Sequence, residues 1–193
     1  QVDNVNNLRL WEANATDEFD FEYFNSGDYV KAVEQKNISE NISKVLYPND
    51  NIHLGKVLRL RQEYFFVSAT LQDIFYNWKQ DHDSFKEIPN KIAIQLNDTH
   101  PALAIPEMMR ILIDEERMSF EAAWDITQKT FSYTNHTVLP EALERWSVAL
   151  FEELLPRHLM LIYQINDMIM KEVSRVSGGD IIKMRNVSII EES

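Results

Sequence analysis

Three short polar clusters contain the side chains whose types and spacing could do chemistry: Tyr47–Asn51, Asn97–Pro101 and Tyr133–Thr137. Each is predicted to lie between an apolar element and the next helix. Their amides, hydroxyls, imidazoles and carboxylates form directional hydrogen bonds. Such groups suit the recognition of sugar hydroxyls, which both donate and accept. The second cluster directly follows a predicted strand, and ligands of open α/β sheets lie outside the carboxyl ends of strands.

The same residue types also have purely structural uses. Asn, Asp and Thr are common in turns and at helix N-caps. A metal site at Asp98 and His100 is disfavoured because these two ligands lack an identifiable third. Glu141 and Glu144, which follow Pro140, could form a general acid–base pair or could be first-turn helix residues that interact with the helix dipole. Three histidines without a partner pattern are expected to be exposed or in satisfied core contacts: His53, His82 and His158.

Composition excludes several classes of protein. The chain has 193 residues, a net charge of -12 and no cysteine, which rules out disulfides, thiolate metal sites and cysteine nucleophiles. The acidic balance argues against a nucleic acid or an anionic membrane surface as the main partner. The four glycines have no spacing that makes a phosphate-cradling loop. The chain starts at Gln1 and stops just after an apolar run, so both ends are expected to be cuts and residues 1–193 one incomplete segment.

Strands separated by helices predict an α/β region that positions the clusters. Alternating apolar residues predict a strand at 91–96, and a second buried strand is predicted at 187–190. Residues 12–28 are interpreted as an extended connector. Apolar periodicity, capping residues and Pro/Gly boundaries predict five helices: from 28 to before Pro48, 58–79, 102–116, 119–130 with Ser119 as N-cap, and from Pro156 to Gly178.

Five blocks of this sequence resemble the glycogen (α-glucan) phosphorylase family. They occur in that family's order and near its spacing: Val45–Asn51, Arg59–Phe65, Ile94–Pro101, Tyr133–Trp146 and Leu154–His158. The resemblance covers essentially the whole chain. It corresponds to the later part of the N-terminal domain of a family polypeptide that is several times longer.

The resemblance implies a fold and an activity. The fold would be helix-rich α/β, part of the N-terminal Rossmann-like domain of a two-domain glycosyltransferase of the GT-B type. The enzyme would transfer terminal α-1,4-linked glucosyl units of glycogen, starch or maltodextrin to inorganic phosphate, giving glucose 1-phosphate. The implied cofactor is pyridoxal 5′-phosphate on a lysine outside this segment, so this chain alone should be inactive. A cytoplasmic homodimer is implied, with the helix at about 28–43 contacting the partner subunit.

The resemblance also assigns residues. Asp50 and Asn51 match a mobile gate loop, where the asparagine hydrogen-bonds a glucosyl hydroxyl. His136 matches the histidine that contacts the glucosyl ring, and its main-chain carbonyl is thought to face the positive charge of the transition state. Asp98 and His100 match residues that line the pocket beside the anomeric carbon.

A second, surface glucan site is implied at Tyr163 and Glu192, although Met160 stands where animal enzymes have a glutamine. Regulated members carry paired arginines that bind a phosphate of AMP or of glucose 6-phosphate, and these positions are Tyr76 and Asn77 here. Neutral side chains cannot make charge-assisted bonds to a phosphate, so this control is predicted to be lost or altered.

Further departures lie near the gate and after the second helix. Ile52 replaces an aromatic ring of the animal enzymes, which predicts a weak purine-stacking inhibitor site, and the stretch at about 79–89 is shorter. Two alternatives to the enzyme stay open: a stand-alone, non-catalytic α-glucan-binding module that uses Tyr163, and a metal-dependent hydrolase built on Asp98 and His100, which has too few ligands.

Overall fold

The computed structural model describes residues 5–16, 21–140 and 143–191. The chain divides into two compact units, residues 1–82 and 83–193. The first unit is helical within its described residues, and the second contains a small sheet.

A long helix, α4, organises the first unit. It spans His53–Asp81, so the helix predicted at 58–79 is confirmed and is longer at both ends. Gln62 on α4 donates from its side-chain nitrogen to the carbonyls of Ile42, at 3.1 Å, and Val45, at 2.6 Å. These bonds satisfy carbonyls at the end of the preceding helix, where no intrahelical partner exists. Large apolar residues at helical spacing form the buried side of α4: Leu60, Val67, Leu71, Phe75 and Trp78.

Within the described residues, three shorter helices precede α4: α1 at Phe21–Asn25, α2 at Tyr29–Ala32 and α3 at Glu34–Lys44. The helix predicted from residue 28 to before Pro48 is confirmed as α2 and α3, with an interruption at Val33. The extended connector predicted at 12–28 is wrong at α1. A helix of five residues is too short to show a 3.6-residue period in the sequence, and Gly27, with φ 85°, ends the turn that follows it.

The second unit contains a parallel β-α-β arrangement. After a 3₁₀ turn at Phe85–Glu87 and helix α5 at Ile88–Lys91 comes strand β1 at Ile94–Asn97. It pairs in parallel with β2 at Phe131–Thr134, with Ile94 opposite Phe131 and Asn97 opposite Thr134. The strand predicted at 91–96 is confirmed, but it begins later, at Ile94, and ends at Asn97. Lys91 belongs to the preceding helix, because it completes α5.

The connection between the strands is helical. Helix α6 covers Ala104–Arg110, runs on as a π-helical turn at Ile111–Glu115, and is followed by α7 at Phe120–Thr130. Ser119 caps α7 as predicted, since its hydroxyl accepts the Ala122 N–H at 3.3 Å. The helix predicted at 102–116 is confirmed as α6 plus the π turn. Fully buried apolar side chains from α6, the π turn, α7 and a later helix form the core: Met108, Met109, Ile111, Leu112, Ala123 and Leu161.

Three helices close the described chain: α8 at Val148–Leu154, α9 at Pro156–Ser177 and α10 at Ile181–Val187. Gly178, with φ 68°, ends α9 as predicted. The strand predicted at 187–190 is wrong. Asp180 caps α10 by accepting the Ile182 and Lys183 N–H groups, and the Asn166 side chain on α9 accepts the Ile189 N–H at 2.8 Å. The backbone is thus satisfied by side chains instead of a neighbouring strand.

Candidate functional site

Asp98 joins the second and third polar clusters at the carboxyl ends of β1 and β2. Its N–H donates to the Thr134 carbonyl at 2.9 Å, and its Oδ1 accepts the His136 N–H at 3.0 Å. Its backbone is left-handed, with φ 62°, a conformation that few non-glycine residues adopt and that Asp tolerates comparatively well. The structure therefore brings Asp98 and His136 together, as expected for residues of one site.

Glu144 joins the same cluster from a third segment. Its Oε2 accepts from the Thr99 hydroxyl at 3.1 Å, and its Oε1 lies 3.3 Å from His100 Nδ1. Glu144 is largely buried, whereas the His100 side chain is 55% exposed and can meet a ligand. The interpretation of Glu144 as a first-turn helix residue is wrong, because it lies outside the helices of the described chain, and Glu141 lies outside the described residues. The proline before this segment suggested a helix start, but the carboxylate instead supports the neighbouring loop.

The loop after β2 presents His136 at the surface. Asn135 Oδ1 accepts the Thr137 N–H at 3.2 Å, and the Thr137 hydroxyl accepts the Leu139 N–H at 3.1 Å. The His136 imidazole itself is exposed. The loop therefore combines a braced backbone with a side chain that is accessible to a ligand. Sequence reasoning did not predict β2, because the alternation of Phe131 and Tyr133 with Ser132 and Thr134 extends over only four residues.

The first cluster lies in the first unit, at the start of α4. Asn49 Oδ1 accepts the Asn51 N–H at 3.2 Å, and the Asp50 carboxylate lies 3.9 Å from the Arg59 guanidinium. Asp50 and Asn51 are both exposed. Gly55 of α4 packs so closely under this loop that a Cβ there would lie 1.7 Å from the Asn49 carbonyl oxygen. The loop shape thus depends on a residue without a side chain.

Tyr163 lies on α9 in a shallow groove. The residue is 42% exposed, so its ring is accessible for stacking on a ligand. Met160 beside it is 53% exposed. Glu192, predicted to share this site, lies outside the described residues. The groove is lined by residues of α8 and α9: Glu152, Pro156, Leu159, Met160, Tyr163, Gln164 and Asp167.

A buried cluster of charged and polar side chains connects α9 to α6. His158 Nε2 lies 2.6 Å from Glu107 Oε2, and Arg110 binds both oxygens of the same carboxylate at 2.8 and 3.0 Å. The satisfied core contact expected for His158 is confirmed. Glu107 was missed by sequence reasoning, although a charged residue inside the apolar stretch around Met108 and Met109 was an available signal.

Two other predicted histidine environments are also confirmed, since His53 is exposed and His82 stacks on Trp78 with ring centroids 3.7 Å apart.

At the start of α9, Arg157 binds Asp114 of the π turn through two hydrogen bonds, at 2.8 and 2.6 Å. These bonds lower the pKa of the Asp114 carboxyl and raise the pKa of Arg157.

Among the described residues, no helix is both long and apolar enough to cross a bilayer. The second unit is a helix-rich α/β structure with polar loops at the carboxyl ends of two parallel strands. The whole chain, residues 1–193, matches the family model described as carbohydrate phosphorylase. The chain therefore belongs to the carbohydrate phosphorylase family.

Similar proteins include glycogen phosphorylases from distant organisms. Glycogen phosphorylase 2 of Dictyostelium discoideum is 60% identical over 186 residues, which cover 96% of this chain and 19% of that protein. The brain form of Bos taurus is 56% identical, covering 98% of this chain and 24% of that protein. The muscle form of Ovis aries is 55% identical, with 97% and 23% covered. The chain thus spans about a fifth to a quarter of the length of the relatives it matches.

Proposed function

We propose that the complete polypeptide is an α-1,4-glucan phosphorylase that releases terminal glucosyl units of glycogen or starch as glucose 1-phosphate. The observation that carries the proposal is the junction of Asp98, His100 and His136 at the carboxyl ends of two parallel strands, in a chain of this family. That edge is where open α/β sheets bind their ligands. Its amides, imidazoles and carboxylates suit a polyhydroxylated substrate.

Each predicted residue has a role that agrees with its exposure. Asn51 hydrogen-bonds a hydroxyl of the terminal glucosyl unit from the gate loop, which also contains Asp50. Asp98 and His100 line the pocket near the anomeric carbon. His136 contacts the glucosyl ring, and its main-chain carbonyl faces the anomeric carbon.

The chemistry breaks the bond between the anomeric carbon and the O4 atom of the next glucose, and it forms a bond from that carbon to a phosphate oxygen. The leaving O4 gains the proton that inorganic phosphate loses, so it departs as a hydroxyl group. Positive charge develops on the glucosyl ring between these events. A fixed carbonyl dipole directed at that charge stabilises the transition state more than the ground state. The part of the reaction assigned to this chain is therefore binding, orientation and charge stabilisation.

Pyridoxal 5′-phosphate does not fit the residues of this chain. A lysine that holds it as a Schiff base needs an enclosing pocket, and all the lysines here lie within the described residues. Nine of them are exposed, and Lys36, which is half-buried, pairs with Glu40 at 3.8 Å. The proposal therefore places the cofactor on a lysine outside this segment, in the same complete polypeptide.

The finer features of the resemblance belong to the same proposal. The segment would be part of the N-terminal Rossmann-like domain of a GT-B glycosyltransferase in the cytoplasm. The exposed apolar residues Tyr29, Val30 and Val33 support a homodimer contact through the helices at about 28–43. The exposed ring of Tyr163, with Glu192, would hold glucan chains at a separate surface site.

The first test is His136→Ala in the complete polypeptide, assayed for phosphate-dependent release of glucose 1-phosphate. Loss of the imidazole contact should lower kcat about tenfold to a hundredfold, which is typical of a contact made to the reacting part of a substrate. His82→Ala, which removes an imidazole that stacks on Trp78, is the matched control. An unchanged rate for His136→Ala would exclude the role assigned to it.

A second candidate, a stand-alone glucan-binding module, is favoured only by the groove around Tyr163. The intact mass of the native polypeptide separates the two candidates. A mass several times 22.7 kDa supports the phosphorylase, whereas a mass near 22.7 kDa leaves the binding module.

A further inference from the structure

Side chains, rather than regular secondary structure, hold the loop that carries His136. Asp98 Oδ1 accepts the His136 N–H at 3.0 Å, and Asn135 Oδ1 accepts the Thr137 N–H at 3.2 Å. A peptide unit is planar, so a fixed N–H also fixes the direction of the carbonyl on the same unit, which points the opposite way. Both peptide units that flank the His136 Cα are therefore held in place.

Asp98 holds this loop at two points. Its main-chain N–H donates to the Thr134 carbonyl at 2.9 Å while its carboxylate reaches His136, two residues further on. Asp98 does this from a left-handed conformation, φ 62°, that is uncommon for a residue with a Cβ. Such conformations persist where surrounding contacts enforce them, and they are concentrated at functional sites. The carboxylate is half-buried, and one of its oxygens is committed to the protein's own backbone.

We propose that Asp98 and Asn135 are positioning residues that aim the main-chain carbonyl of His136. Asp98 sets the peptide unit before His136, and Asn135 sets the unit after it, which contains the carbonyl. This inference rests on the proposed function, in which that carbonyl faces the sugar ring. A carbonyl dipole stabilises developing charge only when it is directed at that charge, so a rotated peptide unit would lose most of the effect.

Paired variants separate positioning from direct contact with the substrate. Asp98→Asn keeps an oxygen that can accept the His136 N–H and tolerates a left-handed backbone, but it removes the charge. Asp98→Gly also accepts φ 62°, but it lacks the acceptor. At the next position, Asn135→Asp keeps the acceptor and Asn135→Ala removes it. All four variants are made in the complete polypeptide.

The kinetic result distinguishes the two roles. Asp98→Gly and Asn135→Ala should lower kcat about tenfold to a hundredfold, with a smaller change in KM for the glucan, because the lost effect belongs to the transition state. Asp98→Asn and Asn135→Asp should recover most of that loss. A rate for Asp98→Gly equal to that of the wild type would overturn the inference. An Asp98→Asn variant as slow as Asp98→Gly would overturn it too, since the carboxylate charge would then act directly.

Hydrogen exchange of the amides in residues 132–138 tests positioning without any substrate. Exchange should be faster in Asp98→Gly than in the wild type, and Asp98→Asn should retain most of the protection. If the wild-type polypeptide shows no phosphorolysis, the proposed function fails. The exchange experiment still tests whether Asp98 holds the loop. Unchanged exchange in Asp98→Gly would refute the positioning role whether or not the enzyme is active.

Discussion

At the scale of single residues, the second unit shows how a charged side chain is tolerated inside an apolar core. Glu107 is fully buried but meets Arg110 and His158 through hydrogen bonds. A buried carboxylate is tolerated only when such partners offset its lost hydration. Exposed pairs such as Arg175–Glu172 have the same chemistry but remain hydrated, so they add little to stability.

Glu107→Ala should therefore destabilise the complete polypeptide by about 3 kcal/mol or more, because it leaves Arg110 and His158 without their shared carboxylate. The measurement is the urea midpoint of unfolding. Glu172→Ala, at an exposed position of α9, is the matched control and should leave the midpoint unchanged. A Glu107→Ala midpoint equal to that of the control would contradict the structural role given to this cluster.

The Asp114–Arg157 pair predicts a dependence of stability on pH. Hydrogen bonds from Arg157 lower the pKa of Asp114 in the folded state, so the pair stabilises the protein above the unfolded pKa of about 4. That contribution is lost as pH falls through the lower, folded pKa. Both side chains are one-third exposed, so solvent screening keeps the effect at about 1 kcal/mol or less.

Comparison of the wild type with Asp114→Asn tests this prediction by urea unfolding over a range of pH. The wild type should be more stable at neutral pH, and the difference should shrink once the pH is well below the ordinary carboxyl pKa. A stability difference that does not change with pH would show that Asp114 acts without its charge.

At the scale of elements, the parallel pair β1–β2 and the start of α4 position the candidate site residues. The strands place Asp98 beside His136 although the two residues are 38 positions apart. The start of α4 places Asp50 and Asn51 in a loop directly over Gly55. In both places, backbone geometry determines where the polar side chains lie.

Gly55→Ala tests this dependence. Alanine in a helix normally stabilises by about 1 kcal/mol relative to glycine. Here its Cβ would lie 1.7 Å from Asn49 O and 2.5 Å from Asn49 C, both backbone atoms that cannot rotate away. We expect the gate loop to be displaced, with faster hydrogen exchange at residues 47–52 and a higher KM for the glucan.

Gln80→Ala, an exposed change near the end of the same helix, serves as the control for Gly55→Ala. It should leave both the exchange of residues 47–52 and the KM unchanged. A Gly55→Ala variant with wild-type exchange and KM would show that the loop geometry does not depend on this close approach.

At the scale of the whole molecule, we infer that the described chain is a segment of a larger structure. A two-stranded sheet is small for an independent α/β domain, and apolar residues such as Ile181 and Ile182 are 78% and 74% exposed. The chain spans only 19–24% of the length of its relatives. Activity and regulation therefore have to be tested on the complete polypeptide.

The isolated 193-residue chain should form no glucose 1-phosphate from glycogen and phosphate. It should also retain no pyridoxal 5′-phosphate after dialysis, because none of its lysines is buried in a pocket. The complete polypeptide is the positive control. Turnover by the isolated chain would contradict the assignment of the cofactor lysine to another segment.

AMP should leave the activity of the complete polypeptide nearly unchanged. Tyr76 is neutral and exposed, and the Asn77 amide already donates to the Asp73 carbonyl at 2.8 Å and to Asp73 Oδ1 at 3.2 Å. Neither side chain offers a positive charge to a phosphate. The assay is glucose 1-phosphate release with and without AMP, and strong activation would show that this interpretation is wrong.

Local signals in the sequence were sufficient for several parts of the fold. The apolar period of α4, the cap at Ser119 and the boundaries Pro156 and Gly178 were all predicted, because helix periodicity and capping act over a few residues. Very short elements were missed. The strand β2 has four residues and α1 has five, which is too few to show a clear period in the sequence.

The sequence by itself determined the polar clusters, the main helices and the family, since residue types and their order along the chain are sufficient for these. Only the tertiary structure showed that Asp98 holds the backbone of His136, that Glu144 supports Thr99 and His100, and that Glu107 meets His158. These contacts join residues 38 to 51 positions apart. Pairing of strands and packing of helices bring them together, and no local pattern of residue types specifies which distant backbone group a side chain will reach.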